Sequence, residues 1–328
     1  MADPVLSVRD LVVEFPTRRG TLRALDKVSF DIHEGEVLGM VGESGAGKSI
    51  TGQAIIGLVE PPGRIAGGEI RLKGERIDNL PRRGMRRVRG KRIGMVFQDP
   101  LTSLNPLFTV ADQITETMRT HLEIGEREAR KRAIALLDRV GIPAASRRID
   151  DYPHHFSGGM RQRVVIALAL CAEPELVLAD EPTTALDVSV QAQIIDVLKE
   201  ICAERGASVM LITHDMGVIA ETADRVAVLY AGRMAEIGPV RDLVSAPEHP
   251  YTRGLMGAIP TLTHDSDRLV QIPGAMPRLD NIPQGCAFNP RCPEVFGRCR
   301  AERPELVPRG GGRHVACWLY RRDGGAHG

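Results

Sequence analysis

The chain has 328 residues and a net charge of +1, with 43 Lys and Arg against 42 Asp and Glu, which argues against a dedicated nucleic-acid binder because such domains are clearly basic. Hydrophobic residues make up 43% and charged residues 26%, a composition that excludes a disordered chain. The longest apolar run, Val164–Ala172, has nine residues, far fewer than the roughly 20 of a membrane helix. The N-terminal Met-Ala-Asp-Pro also lacks a signal-peptide pattern, so we expect a soluble, cytosolic protein.

Strand-like and helix-like stretches alternate along the first 260 residues, and this order predicts a mostly parallel α/β core. Apolar runs predict strands at 5–14, 36–41, 68–72, 92–97, 175–179, 208–213, 225–230 and 233–237, the last two as a hairpin. Apolar residues at helical spacing predict helices at 50–58, 126–140, 188–205 and 216–222. Residues 101–172 are mainly helical and are predicted to form a helical subdomain inserted between two core strands.

A glycine-rich stretch, Gly42-Glu43-Ser44-Gly45-Ala46-Gly47-Lys48-Ser49, follows a predicted strand and opens a predicted helix. Its outer glycines have four residues between them and precede Lys and Ser, which is the pattern of a phosphate-binding loop rather than of an accidental glycine-rich turn. Glycine lets backbone N–H groups and the helix N-terminus face the anion. Lys48 can reach the β- and γ-phosphates, and the Ser49 hydroxyl can bind Mg²⁺. The predicted phosphate contacts are Gly42, Ser44, Gly45, Ala46, Gly47, Lys48, Ser49 and Ile50.

The second half of such a site is an apolar strand that ends in carboxylates, and Leu176-Val177-Leu178-Ala179-Asp180-Glu181 supplies it. Asp180 is predicted to hold Mg²⁺, directly or through water, and Glu181 to polarise the attacking water. Two acids after an apolar strand also occur at ordinary solvated strand ends. The phosphate-loop pattern upstream favours the catalytic interpretation.

Between these two halves lies Phe156-Ser157-Gly158-Gly159-Met160-Arg161-Gln162-Arg163, which resembles the signature of the ATP-binding cassette (ABC) ATPases, usually Leu-Ser-Gly-Gly-Gln. The sequence departs from that pattern at Phe156 and Met160. In the family this segment completes the ATP site of the opposing subunit. The resemblance therefore implies that Ser157, Gly158 and Gly159 contact the ATP of a partner subunit, whereas a bare Ser-Gly-Gly is an ordinary helix-start turn.

Further positions agree with the family in order and spacing. Gln98 resembles the Q-loop glutamine that senses Mg²⁺ and the γ-phosphate, and His214 resembles the switch histidine that contacts the γ-phosphate. Thr184-Ala185-Leu186-Asp187 resembles the D-loop, which implies a second partner-side ATP contact at Asp187. Phe15 is the candidate for stacking on adenine, with an ordinary core residue as the alternative.

The resemblance implies a P-loop NTPase cassette with a RecA-like mixed α/β core, an antiparallel β subdomain and the inserted helical subdomain. It implies ATP and Mg²⁺ as cofactors. The residues implied in catalysis are Lys48, Gln98, Glu181 and His214. The residues implied for Mg²⁺ are Ser49, Gln98 and Asp180. Ile50 replaces the hydroxyl residue common at its position, so the α-phosphate is expected to be held there by a backbone N–H alone.

Two longer stretches, Gln98–Pro106 and Tyr152–Arg163, resemble the bacterial oligopeptide/dipeptide importers within the ABC family, and this accounts for Phe156 and Met160 as subfamily features. The resemblance implies an ATP-hydrolysing subunit, a translocase that powers the import of di- and oligopeptides. It implies two membrane permease subunits, a second ABC ATPase subunit, expected to be a different chain, and, indirectly, an extracytoplasmic substrate-binding protein as partners. The chain is then expected to be peripheral, at the cytoplasmic face of the inner membrane, with no nucleic-acid partner.

After Pro260 the sequence becomes rich in Pro and Gly, so we predict an ABC ATPase domain at 1–260, a C-terminal extension at 261–320 and a disordered tail at 321–328. The extension resembles that of the peptide-importer ATPases, and in some of these four cysteines bind a 4Fe–4S cluster. The corresponding residues are Cys286, Cys292, Cys299 and Cys317. Four thiolates suit such a cluster; zinc and thiols that hold no metal are the two alternatives.

Two other functions are compatible with parts of this pattern. The same mechanism can serve another cargo, such as nickel, glutathione, an antimicrobial peptide or an oligosaccharide, because cargo contacts belong to the permease and the binding protein. A soluble ABC ATPase acting on nucleic acid is disfavoured, since such proteins usually carry two cassettes or long coiled-coil or zinc insertions. The run at 81–92, with seven basic residues, is interpreted as a solvated face rather than a lipid or nucleic-acid contact.

Overall fold

The computed structural model of the chain describes residues 3–18, 20–182, 188–257 and 272–320. The predicted domain boundary near 260, the D-loop-like residues Thr184–Asp187 and the predicted tail at 321–328 lie outside these ranges. Within them, no helix is both long enough and apolar enough to span a membrane.

The strands of the described ranges are β1 (Leu6–Thr17), β2 (Gly20–Ile32), β3 (Val37–Val41), β4 (Arg64–Leu72), β5 (Glu75–Arg76), β6 (Ile93–Val96), β7 (Leu176–Asp180), β8 (Ser208–Ile212), β9 (Arg225–Tyr230), β10 (Arg233–Pro239), β11 (Val307–Gly310) and β12 (Arg313–Val315). The α-helices are α1 (Lys48–Ile55), α2 (Arg82–Val88), α3 (Pro100–Ser103), α4 (Val110–His121), α5 (Glu126–Arg139), α6 (Ala145–Arg148), α7 (Gly158–Leu170), α8 (Val188–Arg205), α9 (Met216–Thr222), α10 (Val240–Ser245), α11 (Pro250–Gly257) and α12 (Gly297–Ala301). Short 3₁₀ helices lie at Pro153–His155, Asn289–Arg291 and Trp318–Tyr320.

These elements pack into two compact units, each built from discontinuous stretches of the chain. Unit 1 comprises Met1–Ser7, Asp31–Val37 and Arg71–Ile212. Unit 2 comprises Val8–Phe30, Leu38–Ile70 and Thr213–Gly328. The glycine-rich loop belongs to unit 2, and the strand that ends in carboxylates belongs to unit 1.

Unit 1 contains three parallel strands in the order β8-β7-β6. Leu176 of β7 lies opposite Ser208 of β8 on one side and Ile93 of β6 on the other. Every residue of β7 and β8 is buried, which is why both strands have continuous apolar sequences instead of alternating ones. The strands predicted at 175–179 and 208–213 are confirmed to within one residue at each end.

The chain between β6 and β7 forms helices α3 to α7, also in unit 1. A capping box starts α4, since the Thr109 side chain accepts from the N–H of Asp112 while the Asp112 carboxylate accepts from the N–H of Thr109. Helix α5 buries one apolar face, formed by Ala129, Ala133, Leu136 and Leu137, against its neighbours. Its amphipathic pattern predicts Glu126–Val140, and the helix ends one residue earlier.

In unit 2 the extension predicted at 261–320 continues a sheet of the preceding domain. Strand β3 pairs in parallel with β9, and β10 pairs antiparallel with β9 on one side and with β12 on the other. Strand β12 belongs to the extension, with Val315 opposite Glu236, and β11 forms the outer edge. Nothing in the local sequence signals this pairing, because both extension strands are short and lack an apolar alternation.

A buried carboxylate fastens β12 and the segment before α11 to β10. Glu236 on β10 is 0% exposed. It accepts hydrogen bonds from the N–H groups of Glu248 and His249 at 3.0 and 2.9 Å and from Arg313 Nη2 at 2.9 Å. Three donors therefore compensate a charge that would be costly to bury alone.

Asp26 on β2 forms a second charged junction with the extension. Its Oδ2 accepts from Arg233 Nε at 2.8 Å and from Arg303 Nη1 at 3.0 Å, and its Oδ1 accepts from Arg23 Nη1 at 3.2 Å. Burial alone would raise the pKa of Asp26, but the three guanidiniums outweigh burial and lower it.

Two elements differ from the sequence predictions for local reasons. Helix α1 ends at Ile55 instead of residue 58, because Gly57 adopts a φ of 63° and its N–H bonds back to Ala54 O. The 13-residue strand β2 is not predicted from the sequence. Its residues 24–26 are buried in succession before Lys27, which has a φ of 58°, so the strand lacks the regular alternation that predicts one.

The close packing of β6 on α7 gives a test of the unit 1 core. A Cβ on Gly94 would lie 2.3 Å from Ala169 O, so Gly94→Ala forces the strand and the helix apart. We expect this variant to lose about 1 to 3 kcal/mol of unfolding free energy, measured by urea denaturation. Gly67→Ala on β4 is the matched control, because its Cβ would meet Val12 at an ordinary 3.7 Å. Equal stability of the two variants would contradict the tight packing of β6 on α7.

Candidate functional site

The glycine-rich loop joins β3 to α1 in unit 2 through backbone that favours glycine. Gly42, Gly45 and Gly47 have φ values of 151°, 83° and 107°, which L side chains rarely adopt. A Cβ would lie 2.4 Å from Leu229 O at Gly42 and 2.7 Å from Leu25 Cδ2 at Gly47, whereas Gly45 faces open space. Backbone packing therefore demands glycine at Gly42, the left-handed backbone favours it at Gly47, and Gly45 leaves room beside the loop.

The lysine of this loop is folded back over the loop's own backbone. Lys48 is 6% exposed, and its Nζ donates to Gly42 O at 2.8 Å and to Glu43 O at 3.1 Å. Ser49 and Ile50, in the first turn of α1, are half-buried. Because the first N–H groups of a helix have no intrahelical acceptor, an ammonium and helix donors meet at this turn, which is the local geometry of an anion site.

Glu43 connects the loop to residues near the C-terminus of unit 2. Its N–H donates to Tyr251 Oη at 2.8 Å, and its carboxylate accepts two hydrogen bonds from Arg291, at 2.6 and 2.9 Å. The hydrogen bond with Glu43 raises the pKa of Arg291, and burial raises the pKa of Tyr251. No sequence pattern indicates either residue, since 248 positions separate Glu43 from Arg291 and no motif spans them.

The carboxylates after β7 in unit 1 are held against another predicted site residue. Asp180 is 6% exposed at the end of the strand, and Glu181 follows it with a φ of 45°. The N–H of Glu181 donates to Ile212 O at 2.8 Å, and its Oε2 accepts from Gln98 Nε2 at 3.0 Å. Gln98 and Glu181, 83 positions apart, are thus in direct contact.

The signature segment starts α7, also in unit 1. Ser157 is exposed and caps the helix, with its Oγ accepting from Met160 N at 3.4 Å. Arg148 contacts both residues that depart from the usual signature. Its guanidinium carbon lies 4.5 Å from the centroid of the Phe156 ring, and its Nη1 lies 3.4 Å from Met160 Sδ. Phe156 and Met160 therefore both pack against Arg148, and the Ser157 cap of α7 is retained.

The other predicted nucleotide residues lie at surface positions in unit 2 or outside the described ranges. His214 follows β8 and is exposed, and Asp215 beside it caps α9. Phe15 on β1 is half-buried, with its ring edge close enough to Gly63 that a Cβ there would lie 2.5 Å away. Phe15 is therefore not a fully buried core residue. Asp187 falls outside the described ranges.

The four cysteines of the extension line one small cavity in unit 2, with a volume of about 10 Å³. All four are free thiols. Burial raises the pKa of Cys286 to about 11 and of Cys317 to about 12, and repulsion between the neighbouring thiolates adds to the shift. Cys286 and Cys317 are therefore protonated at neutral pH. In the part of the chain that the structure describes, no group of three or more His, Cys, Asp or Glu side chains could hold a metal ion.

The glycine loop, the strand ending in carboxylates and the capped signature helix define a P-loop NTPase of the ATP-binding cassette class. A family model described as ABC transporter matches residues 25–184. A second model, described as oligopeptide/dipeptide transporter, C-terminal region, matches residues 235–299.

Full-length relatives refine this class. The dipeptide transport ATP-binding protein DppD of Bacillus subtilis is 48% identical over 97% of this chain and 95% of its own length. DppD of Escherichia coli is 44% identical over 98% of both chains. A dimeric structure of MJ0796, a bacterial ABC transporter cassette, is 29% identical with a TM-score of 0.65, covering 72% of this chain and 99% of that one. The chain belongs to the ABC transporter family, as an ATPase of the group with the oligopeptide/dipeptide C-terminal region.

The left-handed backbone at Glu181 gives a test of stored strain. Glu181→Ala and Glu181→Gly both remove the carboxylate that Gln98 contacts, but only glycine relieves a φ of 45°. We expect the glycine variant to unfold with about 1 kcal/mol more free energy than the alanine variant, measured by urea denaturation. An alanine variant as stable as the glycine variant would show that the backbone here is not strained.

Proposed function

We propose that this chain is the ATP-hydrolysing subunit of an importer of di- and oligopeptides. The observation that carries the proposal is the similarity of nearly the whole chain to dipeptide transport ATP-binding proteins, at 48% identity over 97% of its length for the Bacillus subtilis relative. The match of residues 235–299 to the oligopeptide/dipeptide C-terminal region supports the same cargo class independently of the cassette.

In this proposal the loop at 42–49 and Ile50 bind the phosphates of ATP, and Phe15 stacks on adenine. Support comes from the loop's local geometry, with the Lys48 ammonium and the α1 N-terminus at one turn. Lys48 and His214 stabilise charge on the transferring phosphoryl group. These side chains contribute electrostatic stabilisation and take no proton.

The hydrolytic step falls to Glu181. Water attacks the γ-phosphorus, the bond from that phosphorus to the oxygen of the leaving ADP breaks, and the water proton moves to the Glu181 carboxylate. The amide of Gln98, which donates to Glu181 at 3.0 Å, orients the carboxylate for this task. When bound, Mg²⁺ would neutralise phosphate charge, and Ser49, Gln98 and Asp180 offer the hydroxyl, amide and carboxylate oxygens that this hard cation prefers.

The signature serine points the proposal towards an ATPase dimer. Ser157 is exposed at the start of a 13-residue helix, so its hydroxyl and the helix N–H groups are available to an anion held by a second subunit. Gly158, Gly159 and Asp187 are proposed to join it. The related cassette MJ0796 was solved as a dimer. The partners are then a second ATPase subunit, two permease subunits at the inner membrane and, through them, an extracytoplasmic binding protein.

The cargo and the catalytic base can be tested together on the reconstituted complex of this chain with its permease and second ATPase. We expect ATP hydrolysis to rise when the binding protein is loaded with di- or oligopeptides.

Glu181→Gln should keep MgATP binding but lose about 100-fold or more in kcat, because its amide cannot accept the water proton. Glu221→Gln, an exposed carboxylate on α9, is the matched control. Stimulation by nickel or an oligosaccharide instead of peptides would refute the cargo.

We further propose that the extension holds a 4Fe–4S cluster through Cys286, Cys292, Cys299 and Cys317. The donor set supports this, because four thiols line one cavity and in such a cluster each thiolate binds a different iron. Among the described residues these side chains do not form a ready metal-ion ligand set, so the proposal rests on the chemistry of the four thiols. Thiols bind iron as thiolates, so the four cysteines would lose their protons on binding.

Anaerobic purification of the full chain tests the cluster. We expect about four irons and four acid-labile sulfides per chain, and loss of both in Cys317→Ala. Cys202→Ala on α8 removes a buried thiol outside the extension and should keep the iron. Zinc in place of iron, or no metal in the wild-type chain, would refute the cluster and leave the ATPase proposal standing.

A further inference from the structure

Glu43, the second residue of the glycine-rich loop, forms hydrogen bonds through its N–H, its carbonyl and its carboxylate. Its N–H donates to Tyr251 Oη at 2.8 Å. Its carbonyl accepts from Lys48 Nζ and Ala46 N, both at 3.1 Å. Its carboxylate accepts two hydrogen bonds from Arg291. The residue that supports the loop's lysine is therefore itself anchored by side chains far along the chain.

Arg291 is fixed independently of Glu43. Its side chain is 5% exposed, and its Nε donates to Pro273 O at 2.8 Å. Its Nη2 reaches Ile272 O and Gly274 O at 3.4 and 3.3 Å. A planar guanidinium with five donors suits this combination of carbonyls and a bidentate carboxylate, whereas a lysine ammonium does not.

Aromatic packing joins Arg291 to Tyr251, the other anchor of Glu43. The rings of Tyr230, Tyr251 and Phe288 pack edge-on or tilted, with centroids 4.7 to 5.4 Å apart. The Arg291 guanidinium carbon lies 5.9 Å from the centroids of both Tyr230 and Phe288. The two anchors therefore belong to one packed group, and they cannot shift separately without disturbing it.

Charge gives this arrangement a role beyond packing. A carboxylate within a loop that receives phosphates repels the ligand unless a cation neutralises it. Arg291 is the cation that meets Glu43 at bidentate distance. Replacing Arg291 with a neutral residue leaves a half-buried negative charge in the loop and releases the residue whose carbonyl supports Lys48.

We propose that Arg291 is a positioning residue for the phosphate loop, neutralising and fixing Glu43 so that the C-terminal extension sets the affinity for ATP. This inference rests on the proposal that residues 42–49 bind the phosphates of ATP. Arg291 acts through Glu43 and the backbone of the loop, so it governs how well the site is formed and leaves the hydrolytic step to other residues.

The test measures MgATP binding by calorimetry and the ATPase KM and kcat of the full chain. We expect Arg291→Gln to weaken binding and raise KM roughly tenfold, a change of about 1.4 kcal/mol, with kcat at saturating ATP close to wild type. Arg291→Lys keeps the charge but not the bidentate fork, so its loss should be intermediate. The double variant Glu43→Gln with Arg291→Gln removes the uncompensated charge and should recover most of the affinity.

Arg313→Gln is the matched control. It breaks the ion pair between Arg313 of the same extension and Glu236 of β10, and Arg313 does not contact the glycine-rich loop in any of the hydrogen bonds described for it. An equal loss of affinity in Arg313→Gln, or no recovery in the double variant, would mean that Arg291 only stabilises the extension, and would overturn the inference. Lys48→Ala separates the two proposals. If Lys48→Ala abolishes binding while Arg291→Gln binds normally, only the Arg291 inference fails; if Lys48→Ala binds normally, both fail.

Discussion

At the turn from β3 into α1 the backbone of β9 comes so close to Gly42 that no side chain fits there, and the left-handed backbone of Gly47 favours glycine a second time. Leu229 of β9 closes on Gly42, and Leu25 of β2 closes on Gly47. The hairpin residue Gly232 completes the contact, since its N–H donates to Ala46 O and its carbonyl accepts from Asp26 N, both at 2.9 Å. The surrounding strands therefore impose the curvature of the loop before any ligand arrives, which reduces the ordering that binding would otherwise require.

Paired charges join apolar packing and strand pairing in connecting the extension to the rest of unit 2. Glu236 is a fully buried carboxylate and Glu43 a half-buried one, and each pairs with an arginine of the extension, Arg313 and Arg291 respectively. Removing one partner of such a pair leaves a buried charge uncompensated, which is far more costly than never forming the pair. The extension is therefore part of the electrostatic structure of unit 2, although it follows the cassette in sequence.

Features that depend on local chemistry could be predicted from the sequence. The strand β7 and the helix α8 follow from their apolar patterns, and the glycine loop follows from steric demands at Gly42 and Gly47 that only one residue type meets. The strand pattern singles out Glu181 and the family resemblance singles out Gln98, but neither predicts that the two side chains are in contact. By contrast, the irregular strand β2, the pairing of β12 with β10 and the Arg291–Glu43 pair depend on the approach of distant segments, which no local pattern encodes.

The distance along the chain between Glu43 and Arg291 also imposes an order of events during synthesis. They are 248 positions apart, and a ribosome adding about 5 to 20 residues per second needs roughly 12 to 50 s to make that stretch. During this time a nascent chain already carries the whole glycine loop, but Glu43 in that loop has no Arg291 with which to pair. Maturation of the loop is thus tied to the end of translation, so a prematurely terminated chain has the recognisable motif without its counter-charge.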